Sequence, residues 1–153
     1  MDKKIIENIP LDFDQARALY DEVLAAGYGA LVAEDDSKKV YTRNFDFYDQ
    51  VGGRREPTTY IIDEAYDPGK RGVIYKMYLS VPEGEENRLP ILKKMGWLRF
   101  EPEYIIIQPD AKQKGILRML ELSGGSPKDT VVFGDDTNDL VMFLDDFYKV
   151  AMG

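Results

Sequence analysis

The sequence predicts a mixed α/β protein, in which an α+β domain with an antiparallel sheet is followed by a partial Rossmann-like parallel core. Residues 1–108 read as helix, two strands, two strands, helix, two strands, an order typical of helices packed on an antiparallel sheet. After Pro109 the order becomes helix, apolar strand, helix, apolar strand, which is typical of a parallel sheet. We therefore predict two domains, at residues 1–108 and 109–153.

The first element is predicted to be an amphipathic helix. Its apolar residues recur at helical spacing on one stripe, at Ala16, Leu19, Tyr20, Val23 and Leu24. Asp12, with Gln15 three positions later, has the pattern of a cap at the start of the helix. Gly27 is the predicted stop.

The rest of the first domain is predicted to contain six strands, one loop and a second helix. The strands are apolar or alternating runs bounded by turn residues, at 30–34, 40–43, 58–63, 73–81, 97–100 and 104–108. The first two predict a hairpin, and the Gly-rich segment 49–57 predicts a loop. In the strand 73–81, the odd-numbered residues are expected to face the core and the even-numbered residues to lie opposite. The second helix is expected to end near Gly96.

The second domain is predicted to alternate helices with buried strands. A helix begins near Lys112 and ends at Gly124, and the uniformly apolar run 130–133 predicts a strand buried on both faces. A second helix is expected to run through 140–144, and 150–152 begins another strand. Only two such strands are present, so we expect part of a sheet whose unpaired edges favour self-association or binding of a complementary core segment.

Composition restricts the possible chemistry and partners. The 153 residues include 20 Lys or Arg and 28 Asp or Glu, with a net charge of −8 and no His or Cys. This charge disfavours nucleic acid and anionic membranes as partners. No apolar run suggests a signal peptide or a membrane span, so we expect a cytoplasmic location. Chemistry must then rely on carboxylates, lysines, hydroxyls and a hard metal ion.

The segment after the strand 130–133 is the sharpest candidate site. The strand delivers Gly134 at its carboxyl end, and Asp135 and Asp139, four positions apart, can converge on one cation. Mg²⁺ suits this arrangement because it accepts two carboxylates and a substrate phosphate and keeps several waters. The alternative interpretation is structural: residues 136–138 cap the next helix, and the two acids lie at the positive end of its dipole. The residues alone leave both interpretations open.

A lysine upstream adds to the chemical interpretation. Lys114-Gly115 opens the preceding helix and is expected at the same end of the sheet as Asp135. A lysine there can neutralise a phosphoryl group and the charge that develops on it. The alternative is a solvated lysine in the first helical turn.

Three segments together resemble a known family. Lys114-Gly115, Gly134-Asp135 with Asn138-Asp139, and the closing run 150–153 (Val-Ala-Met-Gly) are similar to the C-terminal half of haloacid dehalogenase (HAD) superfamily phosphatases of the Cof-like branch. The resemblance implies a HAD-like core in which Lys114 is the catalytic, phosphate-binding lysine and Asp135 and Asp139 hold Mg²⁺. Asn138 would support the same loop and help to bind substrate. Residues 1–108 would be the α/β cap that selects the substrate.

One part of the family pattern is absent. These phosphatases carry Asp-x-Asp-Gly-Thr, whose first Asp attacks phosphorus and whose second is the general acid and base. The sequence has no such segment: Asp12 and Asp14 lack the Gly-Thr and lead into a helix, so we interpret Asp12 as a cap, and Asp46 and Asp49 have the wrong spacing.

The resemblance therefore implies part of a Mg²⁺-dependent phosphohydrolase for a small phosphorylated metabolite, which works through an aspartyl-phosphate. We expect the chain to be truncated and inactive by itself, because the nucleophile is missing. The alternative is a non-catalytic ligand-binding or interaction module derived from such a phosphatase. A phospho-receiver domain is disfavoured because too few residues follow Asp136 to complete that fold.

Overall fold

The computed structural model describes residues 7–54, 56–70, 72–109, 112–135 and 137–152, without the side chains of residues 100, 137 and 138. The chain divides into two compact units, residues 1–109 (unit 1) and 110–153 (unit 2). Every helix in the described ranges is too short or too polar to cross a lipid bilayer.

Unit 1 is built around one sheet. Its described elements are α1 (Phe13–Ala25), β1 (Ala30–Ala33), β2 (Lys39–Thr42), α2 (Asp46–Val51), β3 (Thr59–Ile62), β4 (Lys76–Leu79), α3 (Pro90–Met95), β5 (Leu98–Glu101) and β6 (Tyr104–Ile107). The strand order is β3-β2-β1-β4-β6-β5. The predicted hairpin of β1 and β2 is confirmed, and so is the predicted cap, because Asp12 Oδ1 accepts a hydrogen bond of 2.9 Å from the backbone N–H of Gln15.

The connection between β2 and β3 departs from the sequence prediction in two ways. The predicted loop 49–57 begins inside a helix, α2, which ends at Gly52 with a left-handed φ of 75°. The two strands also pair in parallel, with Val40 opposite Tyr60, whereas the other neighbouring strands pair antiparallel. A parallel pair requires a long crossover, and the segment that carries α2 supplies it.

Both faces of the unit 1 sheet are covered. On one face, α1 and α3 pack on a core that includes Leu19, Tyr20, Val23, Met77, Leu79, Leu92 and Ile105. On the other face, Phe47 of α2 packs with Leu31, Val40, Tyr78, Tyr104 and Ile106. The expectation that only one face of the strand 73–81 lies in the core is therefore wrong. Within the predicted range 73–81, only β4 is a strand in the structure. Its residue Tyr78 is buried on the second face, beneath α2, and Ile74 is buried in the segment before the strand.

Unit 2 is smaller. Its described elements are α4 (Lys112–Ser123), β7 (Val131–Gly134) and β8 (Tyr148–Ala151), with 3₁₀ turns at Pro127–Asp129 and Thr137–Met142. The predicted parallel pairing of the last two strands is confirmed, with Phe133 opposite Val150. The helix predicted through 140–144 is instead the end of this 3₁₀ turn: Phe143 N–H donates to Leu140 O at 3.0 Å, three residues back, which is the 3₁₀ rather than the α-helical pattern.

The burial predicted for β7 is not found. Val132 is buried, but Val131 and Phe133 are exposed, Phe133 by 58%. Within the described residues β7 pairs only with β8, and its side chains alternate between exposed and buried positions. The residues of β8 are exposed as well.

Candidate functional site

The candidate site is the loop at the carboxyl end of β7. The strand ends at Gly134, and the chain turns back so closely that a Cβ added there would lie 2.7 Å from Asp139 Cβ. The ring of Phe143 is 3.2 Å from the same position. A side chain does not fit, so glycine at this position allows the 3₁₀ turn to fold over the end of the strand.

Asp139 is the central residue of this loop. Its side chain is turned inward, with 8% of the residue exposed, and Oδ2 accepts a hydrogen bond of 3.1 Å from the backbone N–H of Asp135. Oδ1 receives the ammonium group of Lys112. A carboxylate that leaves water needs such partners to remain ionised at low cost. The structure thus brings Asp135 and Asp139 to one loop, with the Asp135 side chain exposed.

The lysine that contacts the acidic loop is Lys112, two positions before the predicted Lys114. Lys112 begins α4 and pairs with Asp139, whereas Lys114 forms no ion pair with any described residue, although both lysines are exposed. Residues two apart in a helix point to different sides, so both lysines cannot reach the same carboxylate. The sequence Lys112-Gln113-Lys114 contains two lysines that could reach the acidic loop. Their spacing in the sequence alone could not decide which of them faces β7.

The structure describes only the backbone of Asn138 and does not describe Asp136, two residues that the sequence placed in the candidate site. Asn138 has its backbone in the 3₁₀ turn, but its side chain is outside the described part, as is the whole of Asp136. The predicted role of Asn138 in binding substrate therefore stays a prediction. The same holds for the alternative in which residues 136–138 act as caps.

The acidic pair fits part of a magnesium site. In the part of the chain that the structure describes, no group of three or more acidic side chains is placed to hold a metal ion by itself. Mg²⁺ does not require such a cage, because one or two carboxylates, a substrate phosphate and waters complete its six ligands. Asp135 and Asp139 can supply the two carboxylates. The Lys112 ammonium forms an ion pair with the Asp139 carboxylate.

An apolar groove of about 510 Å³ runs along α4 in unit 2. Its lining includes Lys112, Gly115, Ile116, Met119, Leu120 and Met142. The groove adds to the apolar side chains of unit 2 that are exposed to solvent, which include Met119, Val131, Phe133, Leu140, Tyr148 and Met152. So much exposed apolar surface on so small a unit is typical of a binding surface.

The whole chain matches the model of one protein family. The model of the haloacid dehalogenase-like hydrolase family matches residues 1–153. A search of curated proteins finds no significant match. The chain spans about 60% of the length of the solved structures that it resembles.

Three of these structures show the range of similarity. A HAD subclass IIB sugar phosphatase is 20% identical with a TM-score of 0.71, over 99% of this chain and 59% of its own. A protein from Thermotoga maritima is 20% identical with a TM-score of 0.74, over 98% and 59%. A haloacid dehalogenase-like hydrolase from Bacteroides thetaiotaomicron is 18% identical with a TM-score of 0.69, over 92% and 55%. At these identities the similarity establishes a shared fold.

Proposed function

Because the chain belongs to the haloacid dehalogenase-like hydrolase family, we propose that it is the cap and metal-loop part of a Mg²⁺-dependent phosphohydrolase. Its substrate would be a small phosphorylated metabolite. The observation that carries the proposal is the loop after β7, where Asp135, Asp139 and Lys112 come together at the end of a parallel strand. Unit 1 would be the cap that selects the substrate.

Each side chain of the loop would have its own task. Asp135 and Asp139 would hold Mg²⁺, which when bound would neutralise part of the charge of the substrate phosphate. Lys114 would bind and stabilise the phosphoryl group, as its place in the Lys-Gly motif implies. Lys112 would orient the Asp139 carboxylate through their ion pair, so it is proposed as a positioning residue.

The attacking group is proposed to come from outside these residues. The sequence contains no Asp-x-Asp-Gly-Thr segment, and the chain covers about 60% of the related structures. Phosphoryl transfer through an aspartyl-phosphate would need that carboxylate, because a lysine and a metal site can bind phosphate but cannot form the covalent bond. The isolated chain is therefore expected to be inactive.

The exposed apolar side chains of unit 2 support a related proposal about partners. A complementary core segment would cover Val131, Phe133 and Val150, and in its absence we expect the chain to self-associate through the same strands. Sedimentation equilibrium of the chain and of Phe133→Lys tests this. We expect the wild-type chain to associate and the variant to be mainly monomeric. A folded wild-type monomer at high concentration would contradict the proposal.

A complementation assay tests the enzymatic role. The chain is combined with a polypeptide that carries Asp-x-Asp-Gly-Thr, and hydrolysis of p-nitrophenyl phosphate is followed with and without Mg²⁺. We expect activity only for the combination with Mg²⁺, and a loss of about 100-fold or more for Asp135→Asn. Asp145→Asn is the matched control, since Asp145 is a fully exposed acid in the same unit.

Two results would overturn the assignment. Unchanged turnover by Asp135→Asn would remove the proposed metal role of this residue. Absence of turnover in every combination, together with binding of a phosphorylated ligand, would favour the alternative of a non-catalytic binding module.

A further inference from the structure

Two cationic side chains meet on one aromatic ring in unit 1, remote in sequence from the acidic loop. The Arg54 guanidinium carbon lies 3.9 Å from the centre of the Tyr78 ring, and Lys76 Nζ lies 5.9 Å from the same centre. Arg54 belongs to the loop after α2, and Lys76 and Tyr78 belong to β4. Two positive charges gathered in a chain of net charge −8 require an explanation.

Arg54 is held rigidly. Its side chain is only 9% exposed, and its backbone N–H donates to the Tyr60 hydroxyl at 2.8 Å. Nη1 donates to Thr58 Oγ1 at 3.0 Å, and the guanidinium plane lies over Tyr78, which is itself 5% exposed. A guanidinium fixed in this way is preorganised for a ligand, because little conformational entropy remains to be lost.

Only one of the two N–H donors on one edge of this guanidinium has an acceptor among the described residues. Nη2 donates to Oε2 of Glu56 at 2.5 Å, whereas Nε is buried and has no hydrogen-bond acceptor among the described residues. Carboxylates and phosphates bind arginine most strongly when two oxygens take two parallel N–H groups. Glu56 satisfies one of them with a single oxygen. Its side chain is 78% exposed, so it is a weakly held partner that another anion can replace.

Lys76 is the second cation at this ring. In the described part of the chain no carboxylate forms an ion pair with it, although its side chain is half-buried. Partial burial, and then the charge of Arg54, lower the pKa of Lys76, with Glu56 opposing this change. A cation that is partly desolvated and repelled by its neighbour gains from an added anion.

We propose that Arg54 and Lys76 form an anion-binding site on the α2 face of the unit 1 sheet, which takes an oxyanion group, a carboxylate or a phosphate, of a small-molecule ligand. The anion displaces Glu56, takes the Nε and Nη2 donors of Arg54, and is neutralised by Lys76. Where the ligand is taken to be the substrate, the inference rests on the proposed function. The site would then select phosphorylated metabolites that carry a second acidic group.

Titration of the full chain with inorganic phosphate, followed by NMR of the backbone amides, tests the site. EDTA is present and Mg²⁺ is absent, so the acidic loop of unit 2 holds no metal. We expect the largest shifts at Arg54, Lys76 and Tyr78, and small shifts at residues 131–135. Acetate is titrated in parallel, and the tighter of the two ions identifies the oxyanion that the site prefers.

Four variants make the assignment specific. Lys76→Met is expected to weaken phosphate binding about tenfold, the loss of one charged hydrogen bond. Lys93→Met removes an equal charge from an exposed position in α3 and is expected to bind as the wild type does. Glu56→Gln is expected to bind more tightly, because the competing carboxylate is gone. Arg54→Lys keeps the charge but removes the paired N–H donors of the guanidinium, and is expected to bind phosphate more weakly.

Three results would overturn the proposal: equal affinities for Lys76→Met and Lys93→Met, no gain for Glu56→Gln, or shifts confined to residues 131–135. None of them depends on turnover. Failure of the anion site therefore leaves the assay on Asp135 intact, and failure of that assay leaves the anion site intact.

Discussion

The backbone N–H of Asp135 donates a hydrogen bond of 3.1 Å to Oδ2 of Asp139. One acid of the loop therefore fixes the main chain that carries the other. Because Oδ1 of the same carboxylate holds the Lys112 ammonium, Asp139 links α4 to the end of β7. The two acids are thus structurally coupled through the main chain of the loop.

Removing this carboxylate should loosen the loop. Asp139→Ala leaves the Asp135 N–H and the Lys112 ammonium without this acceptor, at a cost of about 1–3 kcal/mol in local stability. Hydrogen exchange at the Asp135 amide should be about tenfold faster or more in the variant. Asp145→Ala is the matched control, because its carboxylate is fully exposed and lies 3.4 Å from Lys149. Equal exchange rates in the two variants would contradict this role for Asp139.

Gly29 should not tolerate a side chain. A Cβ at this position would lie 2.0 Å from the backbone nitrogen of Phe47 and 2.3 Å from its Cα. Gly29→Ala must therefore push α2 away from β1, and we expect it to lower the free energy of unfolding of unit 1 by about 3 kcal/mol or more. Urea denaturation monitored by tyrosine fluorescence measures this.

Gly115→Ala provides the contrast for this substitution. It adds a methyl group in α4 at a position where, among the described residues and apart from the backbone of the helix itself, no atom lies within 4 Å. Alanine favours the helix over glycine, so we expect a gain of about 0.5–1 kcal/mol in unit 2. A similar loss of stability in both glycine variants would show that crowding at Phe47 is not the cause.

Truncation of two methionines should affect stability to very different extents. Met77 is fully buried in the core beneath α1 and α3, and Met77→Ala is expected to cost about 2–5 kcal/mol. Met119 is 63% exposed on α4, so Met119→Ala should change stability by no more than about 0.5 kcal/mol. Chemical denaturation of both variants makes the comparison, and equal losses would argue against the assigned burial.

Acid should weaken unit 1 through Glu86. Burial alone raises the pKa of this carboxyl group, but hydrogen bonds from the backbone and from Arg99, together with the charge of Arg99, outweigh it and hold the pKa below its ordinary value. Arg99 Nη2 donates to Oε1 at 2.6 Å, and Gly84 N–H donates to Oε2 at 2.9 Å. A lowered pKa means that the stabilisation is present above the pKa of the unfolded-state carboxyl group and is lost as pH falls through the folded-state value.

Urea denaturation at pH 7 and pH 3 checks the size of this effect. The wild-type chain should lose about 1–3 kcal/mol more than Glu86→Gln over that interval. Glu83→Gln is the control, since Glu83 is exposed nearby, and it should follow the wild type. If all three chains lose the same stability, the Glu86–Arg99 pair does not contribute to the acid response.

The acidic loop could be located from the sequence, but its contacts could not. Gly134 after an apolar strand, with Asp135 and Asp139 behind it, is a short pattern whose geometry follows from the strand and the tight turn. Which lysine reaches Asp139 depends on the rotation of α4 about its axis relative to β7. That rotation places Lys112 rather than Lys114 at the carboxylate, and residues two apart in one helix give no local sign of it.

The elements that the sequence by itself determined are those whose causes lie within a few neighbouring residues. The apolar stripe and the Asp12 cap define α1, and Gly124, with φ of 67°, marks the end of α4. The tertiary structure alone decided the parallel pairing of β3 with β2, the burial of Tyr78 beneath α2, and the meeting of Arg54 with Lys76. These features depend on packing between residues distant in the chain, where the free energy of burying a side chain overrides its local pattern.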